Sequence, residues 1–511
     1  METIEITETE TETQPDPSTE RERAHGEFKR KTTRSAFASL AGQGANFVLR
    51  MGSMMAMARL LSPRDFGLVG MATAVTGFLI LFQDAGLSAA AIQAPTISKA
   101  QTSVLFWINL AMGALLALLC VIAAPFLASF YHEPRVEWLT IVIASGFLFN
   151  GAATQHRTML IRNMRITDLA IVDVCSTAFS IALGISMAVL GYGYWALAAM
   201  AVCPPFTGLI AVWALGRWIP GLPRRGTGVG SMLRYGGVLM TDTVLIYIAY
   251  NADKVLLGRF WGASALGFYG RAYTLINIPT ANLTSAVAGV AFPALSRLQD
   301  QPERLRSYFA KCYTLFLSLS MPVTVAFGLF GEDIIRVFLG PKWIDSVPLF
   351  RLLAPTILAF ALTNPTGWLL NALGRVVQSL WIGFLIAPVV VLGYAFGVPY
   401  GPLGVASGFS ISMLLLIVPV ILLGIRNTPV TAADIWGAIR PPLYSVIVAA
   451  IAASLIALPA SHLPFALLRL CAVNGVLFSV YVLMLIFVMG QKPLYLNVLK
   501  GFGFGKKKTP A

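Results

Sequence analysis

Long apolar stretches, each ended by glycine, proline or a few charges, follow one another along the chain from residue 36 almost to its end. Crossing a hydrocarbon layer about 30 Å thick takes roughly 20 mostly apolar residues in a helix. Fourteen runs of that length can be marked out: 36–60, 66–88, 103–128, 137–155, 168–190, 194–215, 235–257, 265–289, 308–330, 348–372, 377–397, 402–424, 441–459 and 464–489. The runs holding Arg50 and Lys254 score poorly on a strict hydropathy window, since a charge within a span is costly. The pattern predicts an all-α integral membrane protein with fourteen transmembrane helices.

Composition excludes a soluble enzyme of this length. Of 511 residues, 57% are hydrophobic and 12% charged, where a soluble domain carries about 25% charged residues, and the mean hydropathy is +0.74. The 37 Lys and Arg outnumber the 23 Asp and Glu, for a net charge of +14. These cations form short clusters between apolar runs and not a basic stripe, which argues against nucleic acid as a partner and for membrane topology. With the amino terminus inside, alternate loops collect Lys99, then Arg157, Arg162 and Arg165, then Arg217, Arg224, Arg225 and Arg234. Arg297, Arg304, Arg306 and Lys311 follow, then Arg375, then Arg426 and Arg440. The opposite loops hold few cations, such as Arg64, Arg135, Arg336 and Lys342, mixed with acids. Both termini are therefore expected on the cytoplasmic side. Residues 1–33 read as a disordered, acid-rich tail without the basic start of a cleavable signal, and residues 490–511 as a basic tail. Cys120, Cys175, Cys203, Cys312 and Cys471 show no metal-ligand spacing and read as small buried hydrophobes.

An internal echo divides the spans. ARLLSPRDFGLVG at 58–70 aligns with GRFWGASALGFYG at 258–270, an offset of 200 residues that superposes Arg59, Gly67 and Gly70 on Arg259, Gly267 and Gly270. A second echo pairs YGYWALA at 192–198 with YGPLGVA at 400–406. Six spans per half give a parallel repeat: two pseudo-symmetric six-helix bundles, at 34–217 and 231–425, followed by two additional helices at 441–489.

The run RSAFASLAGQGANFVLRMGSMMAMARLLSPRDFGLVGMATAVTGFLILFQDAGLSAAAIQ at 34–93, its weaker copy KVLLGRFWGASALGFYGRAY at 254–273, and AFPALSRLQD at 291–300 resemble the Wzx-like oligosaccharide flippases. These polysaccharide transporters belong to the larger superfamily of MATE exporters and lipid II flippases, and the likeness is to the subgroup exporting capsular or exopolysaccharide units. It implies a V-shaped pair of bundles and movement of undecaprenyl-diphosphate-linked oligosaccharide from the cytoplasmic to the periplasmic leaflet of the bacterial inner membrane. Such a transporter is expected to work beside a polysaccharide polymerase and chain-length proteins.

A lipid-linked sugar carries a diphosphate and a hydroxyl-rich glycan, both costly to pass through hydrocarbon. A cationic, polar path between the halves is therefore required. Gln43, Asn46 and Arg50 share one face of the first span, and Thr243, Tyr247, Asn251 and Lys254 form a stripe on the seventh; these two stripes are expected to face each other across a cavity. Arg271 enters the same region from the eighth span, and Arg and Lys suit diphosphate as charge-assisted donors. The competing readings are structural: Arg50 paired with Asp84, Lys254 beside Asp253 reaching for the interface, and Arg271 interfacial. Asp84 and Asp242 are candidates either for ion coupling or for ion pairing.

No GxSxG, HExxH or P-loop pattern occurs, and His25, His132, His156 and His462 all fall in tails or loops on the span boundaries above. No catalytic residues, cofactor or metal are expected, so transport should draw on a gradient, the membrane potential or mass action. The rivals are a MATE-like exporter of organic cations, which would want a carboxylate-lined cavity, a lipid II flippase, which shares the mechanism, and an integral-membrane glycosyltransferase, which would need a larger extramembrane loop.

Overall fold

The computed structural model describes residues 41–83, 87–93, 97–223, 230–460, 466–493 and 495–496. The tail at 1–33, most of that at 490–511, and Asp84 lie outside the described residues. Among the described residues there are sixteen α-helices and no strand. They are α1 (41–60), α2 (Pro63–Ile80), α3 (Leu87–Gln93), α4 (Lys99–Tyr131), α5 (Arg135–Arg162), α6 (Ile166–Val189), α7 (Tyr194–Gly216) and α8 (Gly230–Arg297). There follow α9 (Pro302–Leu329), α10 (Gly331–Phe338), α11 (Ser346–Leu353), α12 (Pro355–Ala372), α13 (Val376–Gly397), α14 (Gly401–Ile425), α15 (Ala432–Ala460) and α16 (Ala466–Leu483).

Ten helical runs among the described residues are long and apolar enough to cross a membrane. Two of them are interrupted: Val244–Arg297 at Gly262, where φ is 76°, and Val376–Ile425 at the 3-10 turn Val398–Tyr400. α1 and α2 are not among the ten, because Arg50 and Arg59 in one and Arg64 and Asp65 in the other dilute their apolarity. Large apolar side chains on the outer faces, such as Phe126, Leu190 and Phe396, are 72–75% exposed. Such a surface is stable only against hydrocarbon.

Local chemistry sets the breaks. Ser62 ends α1 and caps α2: its Oγ accepts the Asp65 N–H, the Asp65 carboxylate accepts the Ser62 N–H at 3.0 Å, and Pro63 fills the first helical position. The other break, at Gly262, falls 200 residues on. α2 and the part of α8 after Gly262 then pack against each other reciprocally. A Cβ on Gly67 would strike the backbone carbonyl of Ala263, and a Cβ on Gly267 that of Pro63. Two glycines in matching positions thus let two helix starts meet backbone to backbone.

Residues 331–347, unassigned in the hydropathy pattern, fold as α10, the 3-10 turn Pro341–Trp343 and the start of α11, while the run marked at 348–372 divides into the rest of α11 and α12. Trp343 is fully buried, and its Nε1 donates to the Ala58 carbonyl at 2.7 Å. α16 packs on α15 and is joined to α10 by an ion pair between Arg469 and Asp333. Two sequence expectations need correction. Cys175 and Cys471 are exposed while Cys120 and Cys203 are buried, because a thiol on an outer face is solvated by acyl chains as readily as by protein. His156 lies within α5, buried at 1% exposure, stacked 4.7 Å from Trp213 and bonded to the Trp218 carbonyl; α5 runs a further two turns past the apolar stretch that marked it.

Candidate functional site

Along α1 the side chains pass from exposed at Gln43, Phe47 and Arg50 to buried at Ser53, Met54, Met57 and Ala58. This gradient describes a cleft, open around the start of α1 and closed at its end. The cavity has a volume of about 850 Å³ and is walled by α1, α6, α7 and the second part of α8. Gln43, Asn46 and Arg50 line it from α1, Arg271 and Asn282 from α8. Among the described residues no carboxylate belongs to its lining, and two guanidinium groups there favour anions.

Arg271 is the pivot. Its guanidinium lies 4.5 Å over the Phe66 ring, and its Nε is buried without a hydrogen-bond partner among the described residues. The same side chain also lines a second pocket of about 200 Å³, together with Asn251, Lys254, Thr73 and Thr274. Lys254 Nζ donates to Asn251 Oδ1 at 2.5 Å and sits 5.2 Å from the Tyr273 ring centre. Asn251 donates in turn to the Tyr247 carbonyl at 2.9 Å.

The two predicted stripes therefore do not face one another across one cavity. Gln43, Asn46 and Arg50 stand in the large cleft, Asn251 and Lys254 in the small pocket behind it, and Arg271 forms part of both walls. Tyr247 lines neither; its hydroxyl donates to the Ala74 carbonyl at 3.2 Å, which ties α8 to α2. The cause is rotational: the pitch of an amphipathic face is readable from spacing, but the direction it points is set by packing. Asp242 stands on α8 with its side chain outside the described residues, and the proposed Arg50–Asp84 pair falls outside them with Asp84. Asp173 is paired with Arg157 at 2.7 Å.

Residues not singled out from sequence complete the cleft. Thr274, Asn277 and Asn282 follow Arg271 along α8 at +3, +6 and +11 and line it, as do Thr177 and Ser180 of α6. Extending the Arg271 stripe along its helix would have found the first three. Asp253, passed over as a helix-end neighbour of Lys254, is fully buried; it accepts the Lys254 backbone N–H at 2.8 Å and forms no ion pair with the ammonium.

The closed end is bolted by the segment between α9 and α12. Besides its bond to Ala58, the Trp343 ring meets Phe66 at 5.3 Å and Phe268 at 5.9 Å, edge to face in both cases. Arg59 donates to the Val337 carbonyl at 2.9 Å, and Lys342 to the Arg59 carbonyl at 3.0 Å. At its other flank the polar cleft runs into an apolar cavity of about 440 Å³, sharing Phe47, Met51, Ile278 and Asn282 with it. Phe327 of α9, Phe338 of α10, and Leu470 and Phe478 of α16 make the far wall.

A sequence profile of the family described as "Polysaccharide biosynthesis protein" matches residues 56–348. The chain is similar to the teichuronic acid biosynthesis protein TuaB of Bacillus subtilis (strain 168), 28% identical over 307 residues, which is 59% of this chain and 62% of that protein. It is also similar to the succinoglycan biosynthesis transport protein ExoT of Rhizobium meliloti (strain 1021), 24% identical over 89% of this chain and 93% of that one. Among solved structures, the lipid II flippase MurJ in an inward closed conformation superposes with a TM-score of 0.72 over 90% of this chain and all of that one, at 13% identity, which marks a shared fold. The match over more than half the chain shows that this protein belongs to the polysaccharide biosynthesis protein family, and its long apolar helices fit a multi-pass membrane protein.

Proposed function

We propose that the protein is a flippase for undecaprenyl-diphosphate-linked oligosaccharide repeat units, working by alternating access in the bacterial inner membrane to supply exopolysaccharide, capsule or lipopolysaccharide synthesis. The observation that carries this reading is the union of two unlike cavities: an 850 Å³ cleft with Arg50 and Arg271 and, among the described residues, no lining carboxylate, continuous with a 440 Å³ cavity of almost wholly apolar lining. A diphosphate on Arg50 and Arg271, a glycan among Gln43, Asn46, Asn277 and Asn282, and a polyprenyl tail against α9 and α16 would satisfy both. Among the described residues the cleft offers an organic cation no carboxylate, which weighs against the drug-exporter alternative.

In this reading α1, α2, the two parts of α8, α11 with α12, and the remaining long helices make fourteen crossings. They are arranged as halves at 34–217 and 231–425 with two further helices at 441–489. The excess of Lys and Arg in alternate loops puts both termini in the cytoplasm. The cleft then opens toward the cytoplasm and the Trp343 bolt closes the periplasmic end, an inward-facing state ready to receive its load. The protein acts as a carrier and performs no covalent chemistry; Asp84 and Asp242 remain its candidates for ion coupling.

Deletion of the gene followed by analysis of lipid-linked intermediates tests the assignment. Accumulation of oligosaccharide on undecaprenyl diphosphate, confined to the cytoplasmic leaflet, is the expected result. Normal surface polysaccharide with altered resistance to cationic dyes would overturn it.

A further inference from the structure

Where α12 turns into α13 and α14 into α15, a crevice of about 520 Å³ is lined by Arg375, Gln378, Trp381, Leu423 and Arg426. The fold supplies a built-in comparison, because the corner between α5 and α6 has the same construction 210 residues earlier. Met164 and Gly374 both take a positive φ, 56° and 69°. Arg165 and Arg375 follow as the residues capping α6 and α13, with φ and ψ of −87° and 46° in one and −89° and 51° in the other. Arg217 and Asn427 lie just beyond the neighbouring helices with φ of 45° and 58°. Each capping arginine reaches a carbonyl at that neighbouring helix end: Arg165 that of Leu215 at 3.0 Å, Arg375 that of Arg426 at 3.3 Å.

The corners differ in charge. Arg165 is neutralised three residues on by Asp168, at 2.6 Å. In the second corner that position is Gln378, whose amide is spent on the carbonyls of Leu423 at 2.5 Å and Arg426 at 3.1 Å. The place of Gly216 is taken by Arg426. Two guanidinium groups thus share one crevice, and among the described residues neither is paired with a carboxylate. The first turn of α13 has no side-chain cap and adds its open N–H groups to the same positive field. Directly beside it Val377 and Trp381 are 68% and 69% exposed, and Phe384 carries the apolar row one turn further along the outside of the bundle.

We propose that this crevice binds the headgroup of an anionic phospholipid, its phosphate between Arg375 and Arg426 and its acyl chains along Trp381 and Phe384. Uncompensated cations at a helix end, flush with an apolar face turned to hydrocarbon, match a phosphate that arrives attached to a lipid and not one free in water. None of the crevice residues lines the transport cleft, so the site is independent of the flippase reading.

The test is native mass spectrometry of the purified full chain in detergent with phosphatidylglycerol or phosphatidylcholine added. The wild type should retain phosphatidylglycerol in preference, and the retained fraction should fall about fivefold for each arginine removed in Arg375→Gln and Arg426→Gln. Gln378→Asp restores the carboxylate of the other corner, keeps both arginines, and should lower retention likewise; it decides the matter where an arginine variant does not fold. Equal retention of the two lipids by the wild type, phosphatidylglycerol binding unchanged in Gln378→Asp, or displacement of the lipid by inorganic phosphate at equal concentration would each overturn the proposal.

Discussion

The guanidinium of Arg271 lies on the face of Phe66, 4.5 Å from its ring centre. The opposite fate of that ring is to buttress Trp343 at 5.3 Å, so the cation that faces the cleft and the residue that bolts its far end grip the same side chain. A buried cation–π contact contributes about 0.5–2 kcal/mol. A diphosphate offers that guanidinium charge-assisted hydrogen bonds, which are stronger. Loading the cleft would then draw Arg271 off Phe66 and remove one strut of the closed end. Phe66→Leu keeps apolar volume and deletes the quadrupole. It should lower export several-fold while protein level in the membrane stays normal, whereas unchanged export would show that the ring is packing only.

The bolt itself is expected to set the balance between the two access states. Trp343→Ala removes the bond to the Ala58 carbonyl and two aromatic contacts; truncating a buried aromatic costs about 3–5 kcal/mol when nothing refills the space. Destabilising the closed end by even half of that shifts its population by more than about tenfold. In a chain freed of its five cysteines, Ala58→Cys is predicted to be shielded from a membrane-impermeant maleimide added outside, and labelled rapidly once Trp343→Ala is added. Equal labelling with and without Trp343 would contradict this.

Gly67 and Gly267 admit only hydrogen at their inner faces, since the carbonyls of Ala263 and Pro63 occupy the space a methyl group would need. Gly67→Ala and Gly267→Ala should each wedge α2 from α8 at an overpacking cost of about 1–3 kcal/mol. Because the two contacts are reciprocal, the single variants should match each other in both export defect and outward accessibility of position 58. Gly270→Ala, where a Cβ meets nothing, is the control and should leave transport intact.

Of the three cations read from the sequence, Arg50 and Arg271 share the cleft, while Lys254 is already bonded to Asn251 in the adjoining pocket. Arg50→Gln and Arg271→Gln should each reduce export by tenfold or more, as loss of a charge-assisted bond of about 1.5–3 kcal/mol requires. Lys254→Gln should cost less. Export measured as surface polysaccharide, normalised to protein in the membrane, ranks the three; a larger defect in Lys254→Gln than in Arg50→Gln would move the anion site to the small pocket.

What hydropathy and spacing could convey stops at the helix axis. The runs of apolar residues mark where helices lie, and the 200-residue offset already superposed Gly67 on Gly267 and the break at Ser62 on Gly262. Neither signal carries the azimuth of a helix about its own axis. For that reason Tyr247, in register with Asn251 and Lys254, turns to the Ala74 carbonyl of α2 instead of the cleft. The segment holding Trp343 was silent for a different reason: α10 spans only eight residues and the 3-10 turn three, too short for a periodic pattern to stand out, and the value of a buried tryptophan there depends on Ala58, 285 residues away. The uncompensated Arg375 was likewise unreadable until the Arg165 corner could be laid over it.

The last helix pair is predicted to serve the lipid tail. α16 contributes Leu470, Asn474 and Phe478 to the apolar cavity, α10 contributes Ile334 and Phe338, and the two helices are joined by Arg469 and Asp333. Asp333 is buried at 8% exposure and the Arg469 side chain at 26%, so breaking the pair should cost about 1–3 kcal/mol, between a surface pair and a fully buried one. Asp333→Ala leaves a guanidinium unpaired beside an apolar wall and should loosen α16 from α10. The expected phenotype is reduced export together with faster proteolysis within α16. Asp333→Arg combined with Arg469→Asp re-forms the pair with its charges exchanged and should recover most of both losses. If the exchanged pair exports no better than the single variant, the ion pair is not what holds the tail cavity in shape, and α16 would be anchored by its packing on α15 alone.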